Sequence, residues 1–158
     1  MLVMSNSGMK QRLHDDMTAA LKARDELRKS TLRMALTAVT KAEVAGKEAR
    51  DLSDAEVIDV LGAEAKKRRE SVTAYREAGR EELAVKEQAE ADILAEYLPE
   101  QLTAEEIAAL VTETIAATGA AELGPRGIGK VMGALQPKVK GKADGGAVSS
   151  EVKRQLAG

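Results

Sequence analysis

Apolar residues recur at helical spacing along nearly the whole chain. Met9, Leu13, Met17 and Leu21 are spaced by four and predict a first helix that ends near Ala23–Asp25. Leu27, Met34, Ala38 and Val39 form the inner face of a second, with Lys29, Arg33 and Lys41 outside and Gly46 as its C-cap. Ser53-Asp54-Ala55-Glu56 reads as a capping box, in which side chain and backbone satisfy each other's free groups. It opens the longest helix, with Val57, Ile58, Leu61, Ala65, Val72 and Tyr75 inward and a stop at Ala78–Gly79. A fourth helix runs from about Arg80 to Tyr97, with Leu83, Ile93, Leu94 and Tyr97 inward.

Pro99 breaks the pattern, because a proline pushes the residue before it out of helical geometry. Thr103-Ala104-Glu105-Glu106 is a second capping box, and Ile107, Leu110, Val111 and Ile115 follow it as a buried stripe up to Gly119. Gly124-Pro125 punctuates a turn, with Pro125 suited to a first helical position. Val131, Met132 and Leu135 mark a short helix that Pro137 is expected to stop. Asp144 suits the N-cap of a closing helix carrying Val148, Val152 and Leu156. No stretch alternates with period two, so no sheet is predicted. The expected fold is all-α. A loose extension (1–8) precedes a four-helix, bundle-like domain (9–98), and a small three-helix domain (99–158) follows.

Composition narrows the function classes. The chain has no Cys, Trp or Phe, and its only aromatics are Tyr75 and Tyr97. Thiol chemistry, disulfides and thiolate metal sites are thereby excluded, and a stacking platform for single-stranded bases is not expected. The single histidine, His14, supplies neither a Ser/His/Asp base nor the paired Glu-x-x-His motifs of a bundle metal site, and it reads as a helix-surface residue. No catalytic residue, metal or cofactor is expected. No apolar run reaches membrane length, and the start MLVMSNSGMK lacks the apolar core of a signal peptide, so a cytoplasmic location is expected.

The net charge of −2 gives no global attraction to polyanions, so any such binding needs local patches. Two stand out. Between Arg126 and Lys142 lie five cations (Arg126, Lys130, Lys138, Lys140 and Lys142) and no acid. The stretch is read as a short helix and then a flexible, basic Pro/Gly loop, along which Lys138, Lys140 and Lys142 alternate and which feeds a helix N-terminus. Free N–H groups and the helix dipole there favour an anion. The bland alternative is a solvated connector. The second patch is Lys67, Arg68, Arg69, Arg76 and Arg80, with Arg69, Arg76 and Arg80 spaced to share a face if the helix continues. Its alternative is an exposed face laced with i,i+4 ion pairs.

At these residues the sequence resembles the GatB/YqeY family, stand-alone proteins related to the C-terminal tail of the B subunit of the glutamine-dependent Asp/Glu-tRNA amidotransferase. The resemblance rests on LRMALTAV (Leu32–Val39), LSDAEVIDVL (Leu52–Leu61), KKRRES (Lys66–Ser71), YREAGREEL (Tyr75–Leu83), EYLPEQL (Glu96–Leu102) and GKVMGALQPKVKGKADGGAV (Gly129–Val148), and it spans about residues 9–157. It implies an all-helical protein whose three-helix unit is like a tRNA-contacting appendage. Related modules occur fused to a glutaminyl-tRNA synthetase. The parts of the amidotransferase that activate the tRNA-linked carboxylate and release ammonia have no counterpart in this sequence. Family members often carry an acidic residue just before the Gly-Lys-Val-Met run; here those positions read Arg126-Gly127-Ile128.

The leading expectation is a tRNA-binding accessory protein that works with an aminoacyl-tRNA synthetase or amidotransferase, without membrane or DNA partners. Without stacking aromatics, it should read the backbone and shape of folded RNA. The alternatives are a component of a carbon–nitrogen ligase with glutamine as amido-N-donor, and a helical protein–protein adaptor.

Overall fold

A computed structural model describes residues 8–158. The expected extension falls outside the described residues, apart from Gly8, which opens the first helix. Among the described residues there are seven α-helices and no strand: α1 (Gly8–Lys22), α2 (Glu26–Glu43), α3 (Asp54–Glu77), α4 (Glu81–Ala95), α5 (Ala104–Thr118), α6 (Ile128–Val139) and α7 (Gly145–Leu156). A 3-10 segment, Ala120–Gly127, joins α5 to α6. The chain divides into two compact units after Leu98. No single helix among the described residues is long and apolar enough to cross a membrane.

In the first unit α3 and α4 pair most extensively, α1 packs on α2, and α2 bridges to both α3 and α4. Leu13, Leu32, Val39, Val57, Leu61, Leu94 and Tyr97 fill the centre. The capping box forms as predicted: the Ser53 hydroxyl accepts from the Glu56 N–H, and the Glu56 carboxylate accepts from the Ser53 N–H. Gly79, at φ 75°, makes the reversal between α3 and α4 that a side chain would resist.

Several positions expected to face inward point outward. Leu21 is 57% exposed, and Ala20 is buried in its place. At 3.6 residues per turn a strict spacing of four drifts by about 40° at each step, so the stripe from Met9 has left the core by Leu21. Met34 is also exposed, because Leu32, Ala35 and Val39 already fill the inner face of α2. That helix ends at Glu43, before Gly46. The buried Glu43 carboxylate takes two bonds from Lys10 Nζ (2.8 and 3.0 Å) and one from the Leu52 N–H (3.3 Å), which ties the turn after α2 to α1.

The second unit buries Val111, Val131, Leu135, Val139, Val148 and Val152 between α5, α6 and α7. Thr103 and Glu106 form their capping box, and Gly119 closes α5 in the left-handed conformation. Pro137 does not stop α6, which continues to Val139. A proline in the last turn removes one backbone bond, and burial of Val139 one turn beyond Leu135 outweighs that loss. Pro125 follows the break at Gly124 (φ 59°, ψ −144°) and leads into the final turn before α6.

Candidate nucleic-acid interface

The five tail cations come from three kinds of backbone. Arg126 sits on the turn after Gly124, Lys130 and Lys138 project from α6, and Lys140 and Lys142 lie on the connection to α7. All five are exposed. None makes an ion pair with a carboxylate of the described residues. Lys130 and Lys138 are separated by about 12 Å along the helix and about 80° around it.

The connection after α6 is pinned, contrary to the expected flexible loop. The Leu102 N–H donates to the Lys142 carbonyl (2.8 Å), and Gln101 Nε2 donates to the Gly141 carbonyl (2.9 Å). The Lys142 and Ala143 N–H groups both bond to the Val139 carbonyl, and Gly141 takes a left-handed φ of 75°. Lys138 belongs to α6, so the three lysines do not alternate along one loop. Lys142 shares a shallow groove with Glu100 and Glu106 at the start of α5. The expected anion site at the N-terminus of α7 is filled from within: the Asp144 carboxylate accepts the Gly146 N–H at 3.3 Å. That negative charge sits where an incoming phosphate would have to bind.

The second predicted patch is largely neutralised. Arg68 is 8% exposed and lies among three carboxylates, 3.2 Å from Glu90, 3.5 Å from Glu64 and 3.7 Å from Glu87. It is an internal counter-ion and presents no charge to a ligand. Lys67 pairs with Glu64 at 3.1 Å, Arg76 with Glu81 at 3.2 Å and Arg80 with Glu82 at 3.2 Å. Helix α3 ends at Glu77, so Arg80 does not continue the face of Arg69 and Arg76. Arg69 alone of this set is exposed without an ion pair among the described residues. The partners Glu64, Glu81 and Glu82 lie two to five residues away in sequence. The acids around Arg68 come largely from α4, which spacing within α3 cannot reveal.

The family model for YqeY-like proteins matches residues 10–156. The chain belongs to the YqeY-like family. The match covers both compact units, the paired Arg68 cluster as well as the unpaired tail. Comparison with curated proteins gave no match. Among the described residues no group of three or more His, Asp or Glu side chains is arranged to hold a metal ion.

Proposed function

We propose that this YqeY-like protein is a tRNA-binding accessory factor for tRNA-dependent amidotransfer or aminoacylation, and that its second unit carries the contact. One observation supports the reading above the others. Arg126, Lys130, Lys138, Lys140 and Lys142 are exposed and make no ion pair among the described residues, in a chain whose net charge is −2. Cations already paired with carboxylates gain little from a phosphate, whereas unpaired ones release the counterions that the phosphate had condensed. The pinned connection holds Lys140 and Lys142 in place before a ligand arrives, which lowers the ordering cost of binding.

Titration of fluorescently labelled tRNA with the full chain at low and at physiological salt tests the proposal. Saturable binding that weakens steeply with salt, and that is largely lost when Lys138, Lys140 and Lys142 are all changed to Ala, is the expected outcome. Binding that ignores those three substitutions would remove the tail from the account. Turnover by the purified chain given glutamine, ATP and misacylated tRNA would instead establish a ligase.

A further inference from the structure

Helix α2 carries no acid between Leu27 and Ala42, and this stretch includes Arg28, Lys29, Arg33 and Lys41. Arg28 is held by two bonds to Glu96 (3.0 and 2.9 Å), and Lys29 pairs with Glu26 at 2.9 Å. Arg33 and Lys41 are exposed and make no ion pair among the described residues. They stand eight residues apart, about 12 Å along the axis, with Thr37 between them. Several other arginines of this unit are matched by acids, as with Arg50–Glu56, Arg76–Glu81 and Arg80–Glu82, although Arg69 is not.

A groove of about 530 Å³ borders Arg33 alone, beside the paired Glu26 and Lys29, and two others flank the ridge from Arg33 to Lys41. One, of about 440 Å³, lies toward α1, and its floor is built from Met17, Leu36 and Val44. No acid lines it, and its rim carries Arg33, Lys41 and Lys10, the last already engaged by Glu43. The other, of about 270 Å³, lies toward α3 and contains Met34 and Ala38, with Arg33 and Lys41 again on its edge and Lys67 paired to Glu64 beside them. Met34 is 45% exposed and Val44 57%, so each groove offers a large apolar side chain to solvent. Exposed methionine is a feature of surfaces that accept helices, since the unbranched thioether adapts to its partner.

We propose that the outer face of α2 docks an acidic amphipathic helix of a protein partner. The apolar floors would receive its hydrophobic residues at three- and four-residue spacing, and Arg33 and Lys41 would meet its carboxylates. Charge complementarity selects the occupant, because Arg33 and Lys41, with no acid in the groove toward α1, favour a partner of opposite sign. Nucleic acid fits this face less well. A phosphate backbone has no use for methionine and valine floors, and the linings hold no Phe, Tyr or Trp to stack on a base, His14 being the one ring there. The inference is independent of the tail contact, which uses residues of the other unit.

The test is a ¹⁵N–¹H titration of the full chain with a synthetic helical peptide of about five turns, with leucines at helical spacing and glutamates elsewhere. Saturable shifts confined to residues around Met17, Arg33, Thr37, Lys41 and Val44 are expected. A scrambled peptide of the same composition, with the apolar stripe broken, should leave those signals in place. Arg33→Glu with Lys41→Glu should weaken binding about tenfold or more, and Val44→Ser a few-fold; all three side chains are exposed, so folding is spared. Absence of saturable shifts, equal shifts with the scrambled peptide, or insensitivity to the charge reversals would each overturn the proposal. So would tRNA expelling the peptide and shifting the same signals, which would assign the face to RNA.

Discussion

Arg68 Nε lies 3.2 Å from a carboxylate oxygen of Glu90, yet geometry gives that buried nitrogen no hydrogen bond. Its charge is neutralised without being fully bonded. The same cluster leaves an oxygen of Glu87 buried and unbonded. Removing Arg68 would strand three carboxylates together at the α3–α4 contact. Arg68→Gln should therefore lower stability by roughly 2–4 kcal/mol, read from urea unfolding at neutral pH. A change below about 0.5 kcal/mol would show that solvent already screens the group.

The same cluster sets a pH dependence. Burial, with the Glu87 charge next to it, raises Glu90 above its ordinary value of 4.5. A carboxyl raised on folding binds its proton more tightly in the native state, so it favours the folded chain at low pH. That contribution disappears as pH rises from about 4.5 through the raised value. Glu90→Gln should therefore gain stability relative to the parent over that rise. Glu56 has the opposite sign: its bonds to Arg50 and Ser53 hold it at about 2, and its contribution is lost as pH falls from 4.5 toward that value. Paired unfolding curves across pH for the parent and the Glu90→Gln chain separate the two. A flat difference would contradict the assignment.

Fold and site differ in how far the sequence makes them legible. The helices and both capping boxes follow from local spacing, and local spacing is what sets helix starts and buried stripes. Pro137 escapes such reasoning because its position in the last turn, ahead of a buried Val139, depends on tertiary packing. The basic patches are legible only as composition. Whether a cation is available depends on which acid stands beside it. For Arg68 the acids Glu87 and Glu90 come from another helix, so its run of like charge conceals an internal ion cluster. The α2 ridge escapes for the converse reason: spacing places Arg33 and Lys41 on the outer face, but the grooves beside them need α1 and α3 to form their walls.

Two glycines near the tail should respond oppositely to alanine. A Cβ at Gly127 would come within 2.9 Å of the Ala120 carbonyl and 3.0 Å of its Cβ, so Gly127→Ala forces backbone to move and should cost about 1–3 kcal/mol. A Cβ at Gly133 would meet nothing within 4 Å, and the residue lies mid-way along α6. Gly133→Ala should stabilise by about 0.5–1 kcal/mol. Thermal unfolding of the two variants should shift in opposite directions.

Tyr97 donates its hydroxyl to Asp16, and the Arg12 guanidinium lies 4.4 Å from its ring centroid. Tyr97→Phe keeps the ring and deletes the bond between the end of the first unit and α1. A loss of about 1–2 kcal/mol is expected from denaturant unfolding, without change in helical content. An unchanged midpoint would mean that water replaces the hydroxyl at no cost.

The salt dependence of tRNA affinity is the most direct measure of the central claim, that unpaired tail cations hold a polyanion. Each phosphate left without its cation should reduce the slope of log K against log salt by about 0.7–0.9. Changing Lys138, Lys140 and Lys142 to Ala should therefore flatten the slope by about 2–3, while changing Lys67, Arg76 and Arg80, already paired, should leave it nearly unaltered. An unchanged slope in the first variant, or an equal flattening in the second, would contradict the account.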